Sequence, residues 1–162
     1  MATEIKVGLA GFGNVGKGTY DILKRNHSLI RQRAGAPISV KRVPVRNVDR
    51  VKLLVDEDVI VTNDWHDLVN DPEVNVVVEA MGGIEPAKSL ILAAIDAGKH
   101  VVTANKALLA EHGNEIFSAA QTKGVNVAFE AAVAGSIPIV KALREGLAAN
   151  RVSSIAGIIN GT

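Results

Sequence analysis

Residues 5–16 read Ile-Lys-Val-Gly-Leu-Ala-Gly-Phe-Gly-Asn-Val-Gly, and the reading of this stretch decides the fold. Ile5 to Ala10 is an aliphatic run with the character of a buried strand. Gly11-Phe12-Gly13-Asn14-Val15-Gly16 follows it directly and opens a segment of helical period. Strand, glycine turn and helix in that order form the context in which GxGxxG signals a dinucleotide site. Gly11 permits the tight turn, Gly13 lets backbone approach a pyrophosphate, and Gly16 allows close helix–strand packing. The helix start offers unpaired N–H groups and a partial positive charge to the phosphates. The plain alternative is a glycine-rich turn without a ligand.

Outward from this turn, Val/Ile-rich runs alternate with longer segments of helical period. Apolar residues at Val15, Ile22, Leu23 and Ile30 predict one helix face beginning at Asn14. Further strands are predicted over Ile38–Val45, Val59–Thr62, Val74–Ala80, His100–Ala104 and Val125–Phe129. Pro44 suggests an irregular or edge position for the second of the six. Asp64 is a candidate helix N-cap, and Pro86 sits early in a helix that Gly98 closes as its C′ residue. Helices are also predicted over Ala107–Lys123 and Ile137–Leu147, and Val152–Ile159 reads as β-like. Such alternation argues an α/β fold, Rossmann-like and doubly wound, with a mostly parallel sheet and helices on both faces. Residues 1–150 form the nucleotide-binding domain on this reading. Residues 151–162 begin something further that is cut short, because a domain seldom stops on a strand entering a turn.

The composition excludes several classes. Of 162 residues, 48% are hydrophobic and 22% charged, with a net charge of +1, which is unlike a disordered chain. With no Cys, there is neither a disulfide framework nor a thiol nucleophile. No apolar run reaches the ~18 residues of a membrane span. Neutral charge balance and 3% aromatics argue against nucleic acid as a partner. The expectation is a cytoplasmic protein with no nucleic-acid or membrane partner. His27, His66, His100 and His112 share no metal-ligand spacing, and Asp56-Glu57-Asp58 reads as a solvated acidic turn.

Gly11 to Lys17 also satisfies GxxxxGK, so a P-loop nucleoside triphosphatase is an alternative, with Val76-Val77-Val78-Glu79 as its acidic strand. Gly18 stands where that motif needs a hydroxyl, Thr19 comes one residue late, and Gly13 has no purpose in it. At the end of the second strand an Asp or Glu would hold the ribose of NAD, whereas Arg accommodates the extra phosphate of NADP. The chain has Val45-Arg46-Asn47 there, so NADP(H) is favoured, with NAD(H) possible and a solvated surface Arg46 as the bland reading.

In a doubly wound sheet the ligand lies outside the carboxyl ends of the strands. Those ends carry Ala80-Met81-Gly82-Gly83, Thr103-Ala104-Asn105-Lys106 and Glu130 to Ser136. The small residues Ala80, Met81 and Gly82 let a cofactor lie against backbone, and Thr103 and Lys106 bring a hydroxyl and an amine. Lys106 beside Ala107 and Leu108 is a candidate to move protons if desolvated, or to bind a ligand oxygen if charged. A solvated lysine near a helix start is the alternative.

Four segments together resemble homoserine dehydrogenase: VGLAGFGNVGKGTY at 7–20, TANKALLA at 103–110, FEAAVAGSIPIVKALREGL at 129–147 and IAGIINGT at 155–162. The resemblance spans the chain. It implies NADP(H)-linked hydride transfer between L-homoserine and L-aspartate 4-semialdehyde, on the route to threonine, methionine and isoleucine. It places the cofactor loop on Phe12, Gly13, Asn14 and Val15, the adenosine-phosphate contact on Arg46, and a lysine near nicotinamide and substrate on Lys106. It also implies a monovalent cation (Na or K) on main-chain carbonyls of Glu130, Val133, Gly135 and Ile137, and a substrate approach at Thr162. Members of the family continue into a substrate and dimerisation domain that supplies an acidic substrate clamp and the main proton-donor lysine. The implied parent is a homo-oligomer when full length, and this chain alone would bind cofactor without turnover. A noncatalytic NADP-sensing module is the alternative from another class, and it would have no need of Lys106.

Overall fold

A computed structural model describes residues 3–135 and 137–157. Six strands, β1 (Ile5–Ala10), β2 (Ile38–Pro44), β3 (Ile60–Thr62), β4 (Val76–Glu79), β5 (His100–Thr103) and β6 (Val127–Ala128), form one sheet in the order β3-β2-β1-β4-β5-β6. Every pairing is parallel. This is the strand order of a doubly wound dinucleotide fold, whose direction of winding reverses between β1 and β4. The helices are α1 (Asn14–Arg25), α2 (His27–Ala34), α3 (Val48–Lys52), α4 (His66–Asn70), α5 (Ala87–Asp96), α6 (Lys106–Lys123), α7 (Glu130–Ala134) and α8 (Ile139–Lys141), the last running into one wider turn, Ala142–Gly146.

Alternation along β1 serves two cores, because successive side chains leave opposite faces of a sheet. Val7 and Leu9 join Val40, Val43, Val61, Tyr20 and Val51 on one face. Ala10 joins Leu68, Val77, Leu90, Ile91, Val101 and Ile116 on the other. Gly8 shares the face of Ala10, where a Cβ would sit 2.4 Å from Leu68 Cγ, so α4 packs directly on the β1 backbone.

The first helical segment departs from the sequence expectation. The chain breaks at Asn26 into α1 and α2, and Val15 and Ile22 are exposed. The inward face of α1 is Gly16 and Tyr20, with Leu23 packed beside them. Gly16 sets this face: it must touch the turn it closes, and residues four and seven further on share its side of the helix.

β2 is also not an edge strand, since β3 and β1 flank it. Pro44 stands at its carboxyl end, where its carbonyl accepts from the Gly11 N–H at 3.2 Å. The irregularity expected for this strand is real but lies earlier. Val7 pairs with Val40 and Gly8 with Arg42, leaving Lys41 as an extra residue. Residues 151–157 carry no strand, against the β-like reading of that segment, and Ile155 there is exposed. A strand needs a paired neighbour for its N–H and C=O groups, and none lies beside it among the described residues.

Helix ends follow the expectation in part. Gly98 takes φ +73 just past α5, but Pro86 is the N-cap of that helix and not within it. Trp65 holds the N-cap of α4, with Asp64 one residue earlier accepting the His66 N–H at 2.9 Å. The acidic turn is more than solvated, however. The Asp56 carboxylate accepts from the Tyr20 hydroxyl at 2.9 Å and pairs with Lys24, tying the turn to α1.

Candidate functional site

A cleft of about 700 Å³ opens at the carboxyl ends of β1, β2 and β4, where the strand order reverses. Its floor is the glycine turn, Gly11 to Asn14, with Lys17. One wall runs from Pro44 through Val45, Arg46 and Asn47 to Arg50, Val51 and Leu54. The other is formed by Ala80, Met81, Gly82, Glu85 and Pro86.

The three glycines of the turn differ in what a side chain there would meet. Gly11 has φ +94, and a Cβ on it would lie 2.6 Å from the Ala80 carbonyl oxygen. A Cβ on Gly16 would lie 2.1 Å from the Gly11 carbonyl oxygen, so α1 is seated on the turn itself. A Cβ on Gly13 would meet nothing within 4 Å. Nothing in the protein demands glycine at that position, which faces open space in the cleft. Gly13 is also the N-cap of α1, which has no side-chain cap and no acidic residue in its first turn. Among the described residues the positive end of this twelve-residue helix thus has neither a capping side chain nor an acid of its own first turn, which suits an anion site.

Arg46 follows β2 on the rim and is exposed. The sequence reading missed Arg50, the fourth residue after it. Asn47 accepts the Arg50 N–H through its Oδ1 at 3.1 Å and caps α3, which fixes Arg50 on the same wall. The signal was the i, i+4 spacing of two arginines, but a five-residue helix is too short for periodicity to reveal. Neither guanidinium makes an ion pair among the described residues, whereas Lys17 is paired with Asp21 at 2.5 Å. Glu85 is the one carboxylate in the lining.

The wall at Ala80–Gly82 is held from behind by Glu79, which is 1% exposed. Its Oε1 accepts the N–H groups of Met81 and Gly82 at 2.9 and 3.1 Å, and its Oε2 accepts the Thr103 hydroxyl at 2.6 Å. Thr103 Oγ1 in turn accepts the Asn105 N–H at 3.0 Å. Asn105 donates to the Gly83 carbonyl at 2.6 Å and caps α6 by accepting the Leu108 N–H at 3.2 Å. The Thr103 hydroxyl is thus buried and fully engaged, and it shapes the cleft wall instead of lining it. Sequence reasoning took Glu79 only for the acidic strand of a P-loop. Its real work is to gather loop amides, which no spacing pattern reveals.

Lys106 is the first residue of α6, exposed and outside the cleft lining, so the burial invoked for a proton-moving lysine is not met. Thr19 donates its hydroxyl to the Val15 carbonyl at 2.9 Å inside α1, which leaves the P-loop alternative without its magnesium-holding group. Glu130 starts α7, and its carboxylate accepts the N–H groups of Val140 and Lys141 at 2.8 and 3.0 Å. Val133 lies in the last turn of α7, Gly135 follows with φ +61, and the Ile137 carbonyl accepts the Ile139 N–H at 2.8 Å. Thr162 lies outside the described residues. Among those residues no group of three His, Cys, Asp or Glu is placed to hold a metal, and no helix is long and apolar enough to cross a membrane.

The family model for the NAD binding domain of homoserine dehydrogenase matches residues 11–130. Homoserine dehydrogenase from Pseudomonas aeruginosa is 54% identical over 159 residues, covering 98% of this chain and 36% of that protein. The crystal structure of a homoserine dehydrogenase from Thiobacillus denitrificans, 57% identical, superposes with a TM-score of 0.85 over 92% of this chain and 34% of its own. A hyperthermophilic archaeal homoserine dehydrogenase in complex with NADPH, 22% identical, shares the fold with a TM-score of 0.74 over 91% of this chain and 50% of its own. The chain spans about a third of the length of the curated relatives it matches. With the matched model covering most of its residues, the chain belongs to the homoserine dehydrogenase family, in the part that is its NAD binding domain.

Proposed function

We propose that the cleft binds NADP(H) in preference to NAD(H). On this reading the chain supplies the nucleotide-binding part of an oxidoreductase that interconverts L-homoserine and L-aspartate 4-semialdehyde, in the biosynthesis of threonine, methionine and isoleucine. The observation that carries the reading is Gly13, a glycine that no protein atom demands, at the open end of an uncapped helix where the strand order reverses. The residues present fit a pyrophosphate there. Asn14, Val15 and Gly16 begin α1 and bring its first N–H groups to the floor, with Gly11 and Phe12 beside them. Arg46 and Arg50, both without an ion-pair partner among the described residues, fit an adenosine phosphate, for which a guanidinium offers paired charge-assisted donors. Ala80, Met81 and Gly82 leave space for the nicotinamide half to lie against backbone, with the Thr103 hydroxyl fixing that wall through Glu79.

When bound, the coenzyme carries the hydride, and protein groups supply position and charge. Lys106, exposed at the start of α6, would act on substrate oxygen, with Thr162 near the substrate, while this chain by itself binds coenzyme without turning substrate over. Oxygen donors suit a hard monovalent cation. The carbonyls of Glu130, Val133, Gly135 and Ile137 would hold it, with Val133 in a last helical turn that lacks intrahelical donors. The parent enzyme is cytoplasmic and a homo-oligomer on this reading, with residues 1–150 as one domain and 151–162 opening the next.

Titration with NADPH and NADH, followed by the change in coenzyme fluorescence, tests the reading. Tight NADPH binding with weaker NADH supports it, and binding of neither overturns it. Arg46→Ala and Arg50→Ala should each weaken NADPH by about tenfold or more while changing NADH little. Equal losses for both coenzymes would remove the phosphate role.

A further inference from the structure

Tyr20 joins the two halves of the cleft that the coenzyme would have to span. It is 4% exposed on the inward face of α1, one turn beyond Gly16. Its ring lies 5.6 Å from that of Phe12 in the glycine turn, tilted by 59°. Its hydroxyl both donates to Asp56 Oδ2 at 2.9 Å and accepts the Asp56 N–H at 2.8 Å. One hydroxyl thus uses its donor and an acceptor site on a single residue, which fixes the backbone as well as the side chain of Asp56. Lys24, four residues on along α1, pairs with the same carboxylate.

Asp56 ends the segment that begins with Arg46 and includes α3. Within that segment Val48 and Val55 pack partly buried against the core, and the paired bonds to Tyr20 fix its far end. α3 has five residues, too few to be stable unaided, and Val51 is its one buried residue. Arg50, Val51 and Leu54 from this segment line the cleft. We propose that Tyr20 is a positioning residue for coenzyme recognition, setting the span between the glycine turn and the Arg46–Arg50 wall through its paired hydrogen bonds to Asp56. The proposal rests on the dinucleotide reading of the cleft. It adds that selectivity for the 2′-phosphate depends on a buried phenol that touches no ligand.

Tyr20→Phe keeps the ring against Phe12 and removes both hydrogen bonds to Asp56. With the 162-residue chain, NADPH should bind about tenfold more weakly and NADH within about twofold of wild type, so that the ratio of the two affinities collapses toward one. A purely structural role would lower the melting temperature and leave that ratio intact, which would overturn the proposal. In an Arg46→Ala/Arg50→Ala background, Tyr20→Phe should have no further effect on NADPH, because the groups it positions are gone. A full additional tenfold loss there would also overturn it. If Tyr20→Phe fails to fold, Asp56→Ala decides by the same affinity ratio, since it keeps the backbone N–H and removes the side-chain oxygen that accepts from the Tyr20 hydroxyl. If wild type binds neither coenzyme, the cleft reading itself fails, an outcome distinct from an unchanged ratio in a protein that binds both.

Discussion

A methyl group added at Gly13 and one added at Gly16 meet different fates. The first projects into open cleft, and the second would lie 2.1 Å from a carbonyl oxygen of the same turn. Gly13→Leu should therefore melt as wild type does and lose NADPH affinity by at least about tenfold, seen by pairing thermal melts with coenzyme titration. Gly16→Ala should be less stable by roughly 1–3 kcal/mol in urea unfolding, because the turn and α1 must move apart. Both glycines were legible in the sequence, since the strand before them and the helix after them give each a distinct task. Arg50 and Tyr20 were not. Their roles depend on a five-residue helix and on an acidic turn folding back onto α1, neither of which leaves a periodic trace.

At the scale of elements, the turn after β4 is stiffened by a chain of three buried polar side chains, Glu79, Thr103 and Asn105, linking the ends of β4 and β5 to the start of α6. Thr103→Val keeps the shape but leaves Glu79 Oε2 and the Asn105 N–H without a partner. It should lower stability by about 1–3 kcal/mol, measured by denaturant unfolding. Coenzyme affinity should fall with it, because Met81 and Gly82 are held by the same carboxylate. The strands were readable as aliphatic runs: β1 stands as predicted, and the other five are shorter than predicted by one to three residues. The face of α1 was not readable from its apolar residues. Val15 and Ile22 look like core in a helical count, but a glycine and a tyrosine are what that helix buries.

For the molecule as a whole, charge pairs tie elements distant in sequence. Hydrogen bonds from Lys24 and then Tyr20 hold the Asp56 carboxyl below the usual carboxylate range, Lys41 and then Lys6 do so for Glu73, and Lys88 does so for Glu115. A carboxyl whose folded pKa is depressed contributes stability above its unfolded value, and that contribution disappears as pH falls through the folded value. The urea midpoint should therefore be flat from pH 8 to about pH 6 and decline below about pH 5, an expectation checked by unfolding across that range. A rise in stability on acidification would contradict the pairing. The α/β class and the parallel sheet were legible from the alternation of runs. The order of the strands was not, because the reversal between β1 and β4 is a property of packing that no local segment encodes.

The extra residue in β2 has one more effect. Lys41 and Arg42 are neighbours, and neighbours in a regular strand leave opposite sides of the sheet. Yet Lys41 reaches Glu73 and Arg42 reaches Asp71 at 2.5 Å, two acids of one short loop. The same slip lets Val40 and Val43, three apart, both be buried in one core. Chain length and charge are thereby coupled: a variant shortened by one residue here can keep its aliphatic alternation in phase or keep both cations on that loop, never the two together.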